Sequence, residues 1–141
     1  MTARRIVRIA LAILALVGIQ VGLWAAFAPR SFYDDFPGSG RVWVAVDGPY
    51  NEHLVRDVGA LNLALAVVAI VAFVTLSRAA VIAAGGAWLA YGVPHLVYHL
   101  RHTDTLDGSD TFAVPFTLAL NVAVAGLVLW TAWRNPGEAF S

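Results

Sequence analysis

Three of the four histidines in this chain lie within one short apolar segment, GVPHLVYHLRH, at residues 92–102. At 100° per residue, a helix places His95, His99 and His102 within about 60° of one another on one face. Imidazole nitrogens bind zinc, copper and iron, and two histidines four residues apart on a helix form a common chelating pair. The spacing therefore indicates either a metal site or a polar patch in an otherwise apolar helix.

A second polar group, at residues 52–57, has the spacing of two helical pairs. Glu52 and Arg56 are four residues apart, as are His53 and Asp57, and side chains at this spacing are neighbours on a helix. A carboxylate beside an imidazole also suits a general base. The chain has no serine in a nucleophile-elbow motif, which disfavours a hydrolase. Beyond that, the residues leave open whether the protein is an enzyme.

The composition predicts that these groups belong to a membrane protein. Of the 141 residues, 60% are hydrophobic and only 13% are charged, which is too little charge to cover a soluble domain. The charged residues are clustered and leave four apolar runs of about 20 residues, the length that crosses about 30 Å of hydrocarbon. We expect one all-α domain over residues 1–141, a bundle of four transmembrane helices at about 5–28, 52–77, 79–102 and 111–133.

The arginines predict the orientation of this bundle. Five of the nine lie in short segments at the end that holds both termini: Arg4, Arg5, Arg8, Arg78 and Arg134. Arginine enrichment in short segments marks the cytoplasmic side, so we expect a multi-pass cell-membrane protein with both termini in the cytoplasm. The first apolar run is longer than that of a typical signal peptide, and we expect it to be retained as a helix. The formal net charge of zero does not indicate nucleic-acid binding, and the absence of cysteine excludes disulfides and thiolate metal sites.

The predicted outer loop, residues 29–51, is far longer than typical connections. It contains PGSG at 37–40, which is typical of a turn, followed by the β-prone run RVWVAVD at 41–47. Two interpretations fit this pattern. One is a short β-hairpin that forms an ordered flap, and the other is an extended loop whose aromatic side chains rest on the membrane.

The connection between the second and third spans, SRAA at 77–80, is so short that the two helices must form an antiparallel hairpin. We expect this hairpin to bring residues 52–57 beside residues 95–102 in the outer half of the membrane. Ionisable side chains at such a depth face the bundle interior or water. The predicted cluster comprises His53, Asp57, Glu52, His95, His99 and His102.

This cluster has two interpretations. Its nitrogen and oxygen donors suit zinc, copper or iron, and a haem held between two histidines is a less favoured variant. Alternatively, the same side chains form a hydrogen-bonded network that fixes the loop to the bundle without a metal.

Polar and small residues elsewhere in the spans are expected to serve helix packing. Gln20, Asn62 and Asn121 place one amide in each of the other three spans, and such side chains commonly form hydrogen bonds between helices. Gly85 and Gly86 are expected to let another helix approach closely, within the bundle or from a second protomer.

The overall layout resembles that of small bacterial four-helix membrane proteins of the DoxX-like kind. The segments that carry this resemblance are GPYNEHLVRDVGALNLALAV at 48–67, which ends the long loop, and GVPHLVYHLRH at 92–102. The resemblance implies a four-helix membrane bundle and assigns no functional residue, because architecture does not fix function.

Together, these patterns favour a non-catalytic polytopic membrane protein whose outer histidine and carboxylate cluster organises the outer loop, and they leave open whether the cluster also binds a transition metal. A metal- or haem-dependent membrane redox enzyme is one alternative, and an accessory subunit of a larger membrane complex is another. The lipid bilayer is the expected partner in each case, and a homo-oligomer or a larger membrane complex stays open.

Overall fold

The computed structural model describes residues 2–135, and within this range four helices are long and apolar enough to cross a membrane. In chain order, the helices are α1 (Ala3–Phe27), the short α2 (Pro29–Asp35), α3 (Glu52–Thr75), α4 (Arg78–Arg101) and α5 (Asp110–Arg134). The predicted all-α fold with four membrane-spanning helices is confirmed. The predicted ends of these four helices differ from the observed ends by at most two residues.

The first and third helices form the closest pair in the bundle, and small residues make this possible. Gly18 and Gly22 of α1 lie against α3, and Gly59 of α3 lies against the backbone of α1. A Cβ atom at Gly59 would be 2.8 Å from the Cα atom of Ala26 and 2.9 Å from the carbonyl carbon of Ala25. In a membrane, helices associate through such close packing rather than through the hydrophobic effect.

The fourth and fifth helices form a second pair, and one core joins the two pairs. Gly85 of α4 is close to Leu129 of α5, as predicted for a small residue at a helix contact. Gly86 differs, because a Cβ atom placed there would meet no described side chain or neighbouring helix within 4 Å. The shared core contains residues from all four long helices, including Leu11, Leu14, Leu65, Trp88 and Val128.

The connection between α3 and α4 is as short as the sequence predicts. Leu76 ends α3 in a left-handed conformation, and the hydroxyl of Ser77 accepts a hydrogen bond from the backbone N–H of Ala80 to cap α4. Two contacts fix the register of the resulting antiparallel hairpin. Trp88 donates to the carbonyl oxygen of Leu65 at 3.3 Å, and Asn62 donates to the Tyr91 hydroxyl at 3.4 Å.

The long loop is ordered, and it begins with a helix that the sequence patterns do not predict. After α2, a two-stranded hairpin pairs β1 (Pro37–Gly38) with β2 (Arg41–Val42), which confirms the hairpin interpretation of the loop. The β-prone run supplies only these two strand residues and continues as a 3₁₀ turn at Ala45–Asp47. Neighbouring aromatic rings hold the loop together, with centroid distances of 4.6 to 6.0 Å among Trp24, Phe32, Phe36 and Trp43.

We call the end of the bundle that carries this loop the loop end. Residues 102–109, between α4 and α5, lie at the same end. The opposite end carries the start of α1, the α3–α4 turn and the end of α5. The histidine-bearing part of α4 is therefore next to the loop.

Candidate functional site

Two of the predicted site histidines face each other on α4. The Nε2 atoms of His95 and His99 are 3.2 Å apart, and the ring centroids are separated by 4.9 Å. In a neutral pair, the Nε2–H group of one ring donates to the Nε2 lone pair of the other. His95 lies six residues before Arg101, the last residue of α4, so the pair lies within about 9 Å of the helix end.

The outer loop contacts Tyr98, the neighbour of His99, through an aspartate that the sequence patterns do not indicate. The Tyr98 hydroxyl donates to the Asp47 carboxylate at 3.3 Å, and the Tyr98 ring contacts the His99 ring edge-on at 5.3 Å. The loop therefore places one carboxylate over the histidine face of α4.

The third histidine of the segment, His102, lies one turn beyond the pair. Its ring stacks on Tyr98 with a centroid distance of 4.2 Å and an interplanar angle of 17°. Its Nδ1 atom is 2.8 Å from the Tyr98 carbonyl oxygen. Because a carbonyl oxygen only accepts, the Nδ1 atom of His102 carries the hydrogen of this bond.

The residues of the second polar group form their predicted pairs but not the predicted cluster. The Nε2 atom of His53 is 3.3 Å from the Asp57 carboxylate, with side chains that are 87% and 61% exposed. Glu52 accepts a hydrogen bond from Arg56 at 2.9 Å, and Arg56 also donates to the carbonyl oxygen of Ala26 in α1. These contacts tie the start of α3 to α1 rather than to the histidine face of α4.

The helical period explains why this group does not reach the α4 histidines. Asn62 of α3 lies opposite Tyr91 of α4, and in an antiparallel pair this places Asp57 at the level of Leu96. Asp57 therefore lies at the predicted depth along the bundle, beside the histidine segment. However, at 100° per residue Asp57 is about 140° and His53 about 180° away from Asn62 around α3. The short connection fixes the depth of these residues, whereas the rotation of α3 turns them away from α4.

The six predicted ligands are therefore not assembled into one site. Within residues 2–135, no three or more His, Cys, Asp or Glu side chains are arranged to hold a metal ion. What the structure brings together is the His95–His99 pair with Tyr98, His102 and the loop residue Asp47.

Of the three predicted packing amides, Asn62 is the one whose described contacts join two helices. Its side chain is 2% exposed and contacts Tyr91 of α4. Asn121 donates to the carbonyl oxygen of Thr117 in its own helix, and Gln20 is exposed on α1. The contact between Asn62 and Tyr91 lies one turn below His95, at the base of the histidine face.

An ion pair fixes the hairpin of the loop to the bundle. An Nη1–H group of Arg41 donates to the Asp110 carboxylate at 2.6 Å, and the Asp110 side chain is 19% exposed. Asp110 is the first residue of α5. Charged hydrogen bonds of this kind are stronger than neutral ones, so this contact orders the segment that ends in Asp47.

We expect Arg41→Ala to loosen the loop above the histidine pair. Losing this charged hydrogen bond should raise amide hydrogen exchange at residues 41–47 about 10-fold, which corresponds to about 1.4 kcal/mol. The measurement is hydrogen exchange with mass spectrometry on protein in lipid nanodiscs. Arg134→Ala is the matched control, because Arg134 lies over the Trp130 ring at the opposite end of the bundle, and it should leave exchange at 41–47 unchanged. Equal exchange in the Arg41→Ala variant and the unmodified protein would contradict this role.

Comparison of the chain with known protein families, curated proteins and solved structures gives no match. The resemblance to DoxX-like proteins therefore stays a prediction.

Proposed function

We propose that this protein is a multi-pass protein of a cell membrane that binds a divalent transition metal ion at the His95–His99 pair. The observation that carries the proposal is the 3.2 Å separation of the two Nε2 atoms. Two imidazole ligands of a tetrahedral zinc ion, each at 2.0 to 2.1 Å, have nitrogen atoms about 3.3 Å apart. An ion can thus lie between the two nitrogen atoms with almost no movement of α4, once the ring with hydrogen on Nε2 carries it on Nδ1 instead.

The described residues do not place a third ligand beside the pair, and Asp47 is the carboxylate that a change in the loop would have to bring to a bound ion. The Asp47 carboxylate accepts a hydrogen bond from Tyr98, and Tyr98 is adjacent in sequence to His99. A bound cation would attract this carboxylate, which comes from the loop and not from α4. Two imidazoles and one carboxylate form a ligand set typical of zinc sites with an open fourth position. We therefore propose that the ion orders the loop against the bundle, without a catalytic role.

The metal content of the purified protein tests this proposal. Protein in mild detergent is incubated with zinc, dialysed against buffer without metal, and analysed by mass spectrometry of the metal. We expect about one zinc ion per chain, and less than a tenth of that in the double variant His95→Ala/His99→Ala. A monomeric elution profile on size-exclusion chromatography checks that the variant is folded. Equal zinc content in both proteins, or no retained zinc in either, would overturn the proposal.

We also propose that the loop end faces the outside of the cell and both termini face the cytoplasm. Arg4, Arg5, Arg8, Arg78 and Arg134 lie at the end opposite the loop, and the positive-inside rule places such an end in the cytoplasm. In this orientation the histidine pair meets metal ions from outside.

The chain contains no cysteine, so single cysteine variants test this orientation directly. We expect a membrane-impermeant maleimide added to intact cells to label Ser109→Cys at the loop end. Ala79→Cys, at the opposite end, should be labelled only after the membrane is permeabilised. The reverse labelling pattern would refute the proposed orientation.

A further inference from the structure

An open pocket lies at the start of α1, at the end of the bundle opposite the loop. It has a volume of about 490 Å³ and is lined by Thr2, Arg4, Arg5, Arg8 and Ile9, all of which are exposed. The three arginines lie within about 100° of one another around the helix, so their guanidinium groups border one space. Pockets of about 300 to 1,000 Å³ commonly hold small ligands.

The positive charge of this pocket is not balanced by the part of the chain that the structure describes. The salt bridges among residues 2–135 all lie at the loop end, as do eight of the nine acidic residues of the sequence. The ninth is Glu138. With Arg78 and Arg134, the end opposite the loop carries five arginines, so a positive surplus stays even when Glu138 is counted there. Such a surplus attracts an anionic ligand.

Exposed apolar side chains continue from the pocket toward the middle of α1. Ile9, Ile13 and Leu16 are 45%, 43% and 65% exposed, and they lie within about 80° of Arg5 around the helix. From Ile9 to Leu16 they cover about 10 Å along the part of α1 that crosses the membrane. One side of α1 therefore presents guanidinium groups at its end and apolar surface next to them, in the order of a lipid head group and its acyl chains.

We propose that this pocket binds an anionic phospholipid, phosphatidylglycerol, with its phosphate among Arg4, Arg5 and Arg8 and an acyl chain along the apolar side chains next to them. Guanidinium groups bind phosphate oxygens through charged hydrogen bonds, often two in parallel. The Thr2 hydroxyl lines the same pocket and forms no cap hydrogen bond with α1, so its hydrogen is available to the phosphate. Basic pockets at the membrane surface are a common form of lipid recognition.

The charge of the head group distinguishes this lipid from others that share its phosphate. Phosphatidylcholine and phosphatidylethanolamine also carry a cationic ammonium group close to the phosphate, which three guanidinium groups repel. The glycerol head of phosphatidylglycerol has only hydroxyl groups, so the lipid keeps a net negative charge. The pocket lies at the opposite end of the bundle from the histidine pair, and lipid binding and metal binding can therefore be tested separately.

Lipid titration followed by native mass spectrometry tests the pocket on the full-length protein in an uncharged detergent. We expect one phosphatidylglycerol per chain, bound at least 10-fold more tightly than phosphatidylcholine with the same acyl chains. Glycerophosphoglycerol, the head group without acyl chains, should not displace the lipid at equal concentration, because it lacks the contact with the apolar side of α1. Equal dissociation constants for the two lipids, or displacement by the free head group, would overturn the proposal.

Two double variants with the same change in charge separate this pocket from a general attraction to positive charge. Arg5→Gln/Arg8→Gln removes two exposed arginines of the pocket and should raise the dissociation constant of phosphatidylglycerol at least 10-fold. Arg78→Gln/Arg134→Gln removes two arginines that lie outside the pocket at the same end of the bundle and should change it less than 2-fold. Thermal unfolding in detergent checks that both variants are folded. An equal loss of affinity in the two variants would overturn the proposal.

Discussion

Replacing Gly59 by alanine is expected to lower the free energy of unfolding by about 3 kcal/mol, the upper part of the range for overpacking a tight interface. The added methyl group would lie 2.8 Å from the Cα atom of Ala26, and a backbone atom cannot move away as a flexible side chain can. The α1–α3 pair would have to separate around this contact. Because Arg56 of α3 donates to the carbonyl oxygen of Ala26, the same separation would weaken that hydrogen bond.

Gly126→Ala is the matched control for this prediction. Among the described residues, nothing lies within 4 Å of a Cβ atom built at Gly126 beyond its own helix. The substitution should therefore leave stability unchanged or raise it slightly, because alanine favours the helix over glycine. Unfolding in detergent with increasing sodium dodecyl sulfate measures both variants. If Gly59→Ala is as stable as Gly126→Ala, the close packing of α1 on α3 is not what holds this pair together.

The second large effect is expected at the proposed metal site, where the single histidine variants should differ sharply. His99→Ala removes one of the two facing Nε2 atoms and should weaken zinc binding about 100-fold, which corresponds to about 2.7 kcal/mol. Isothermal titration calorimetry of the protein in detergent, with zinc as the titrant, gives the dissociation constant.

His53→Ala is the matched control, because His53 is also four residues from a possible metal ligand. It pairs with Asp57 on an exposed face of α3 and should change the zinc dissociation constant by less than 2-fold. The six-residue cluster expected from the sequence includes both histidines, so it predicts a loss in both variants. A comparable loss in His53→Ala and His99→Ala would support that cluster and refute the pair described here.

Much of the fold could be predicted from the sequence, because few backbone conformations are stable in the hydrocarbon core of a membrane. Four apolar runs of about 20 residues can only become membrane helices when no water is available to their backbone groups. The SRAA connection likewise leaves only an antiparallel hairpin. The depth of Asp57 relative to α4 follows from that hairpin and agrees with the structure.

The candidate site was only partly predictable, because the depth of a residue along the bundle and the rotation of its helix about the helix axis are set by different contacts. The i, i+4 spacing of His95 and His99 is a property of one helix, and their proximity follows from it. Whether His53 points toward α4 also depends on the rotation of α3 about its axis. Gly59 fixes that rotation, because the face of α3 that carries it packs against α1. The sequence of α3 does not indicate which face packs against α1, because apolar residues lie on almost all of its faces.

The carboxylate next to the histidines comes from the loop, where sequence patterns say least. Asp47 ends a β-prone run, yet the chain forms a 3₁₀ turn there and directs the carboxylate to Tyr98. That conformation depends on contacts between distant residues, such as Arg41 with Asp110. The short helix α2 was not predicted for a similar reason. Its sequence, PRSFYDD, is too short to show a helical repeat of apolar residues.

Electron paramagnetic resonance of the protein with bound Cu²⁺ tests the facing imidazole pair most directly, because nitrogen couplings report the number of imidazole ligands. With one equivalent of Cu²⁺, the protein should give couplings from two imidazole nitrogens, and the His99→Ala variant should give one. His53→Ala should give the same spectrum as the unmodified protein. A spectrum without imidazole couplings, or one that only His53→Ala changes, would contradict metal binding between His95 and His99.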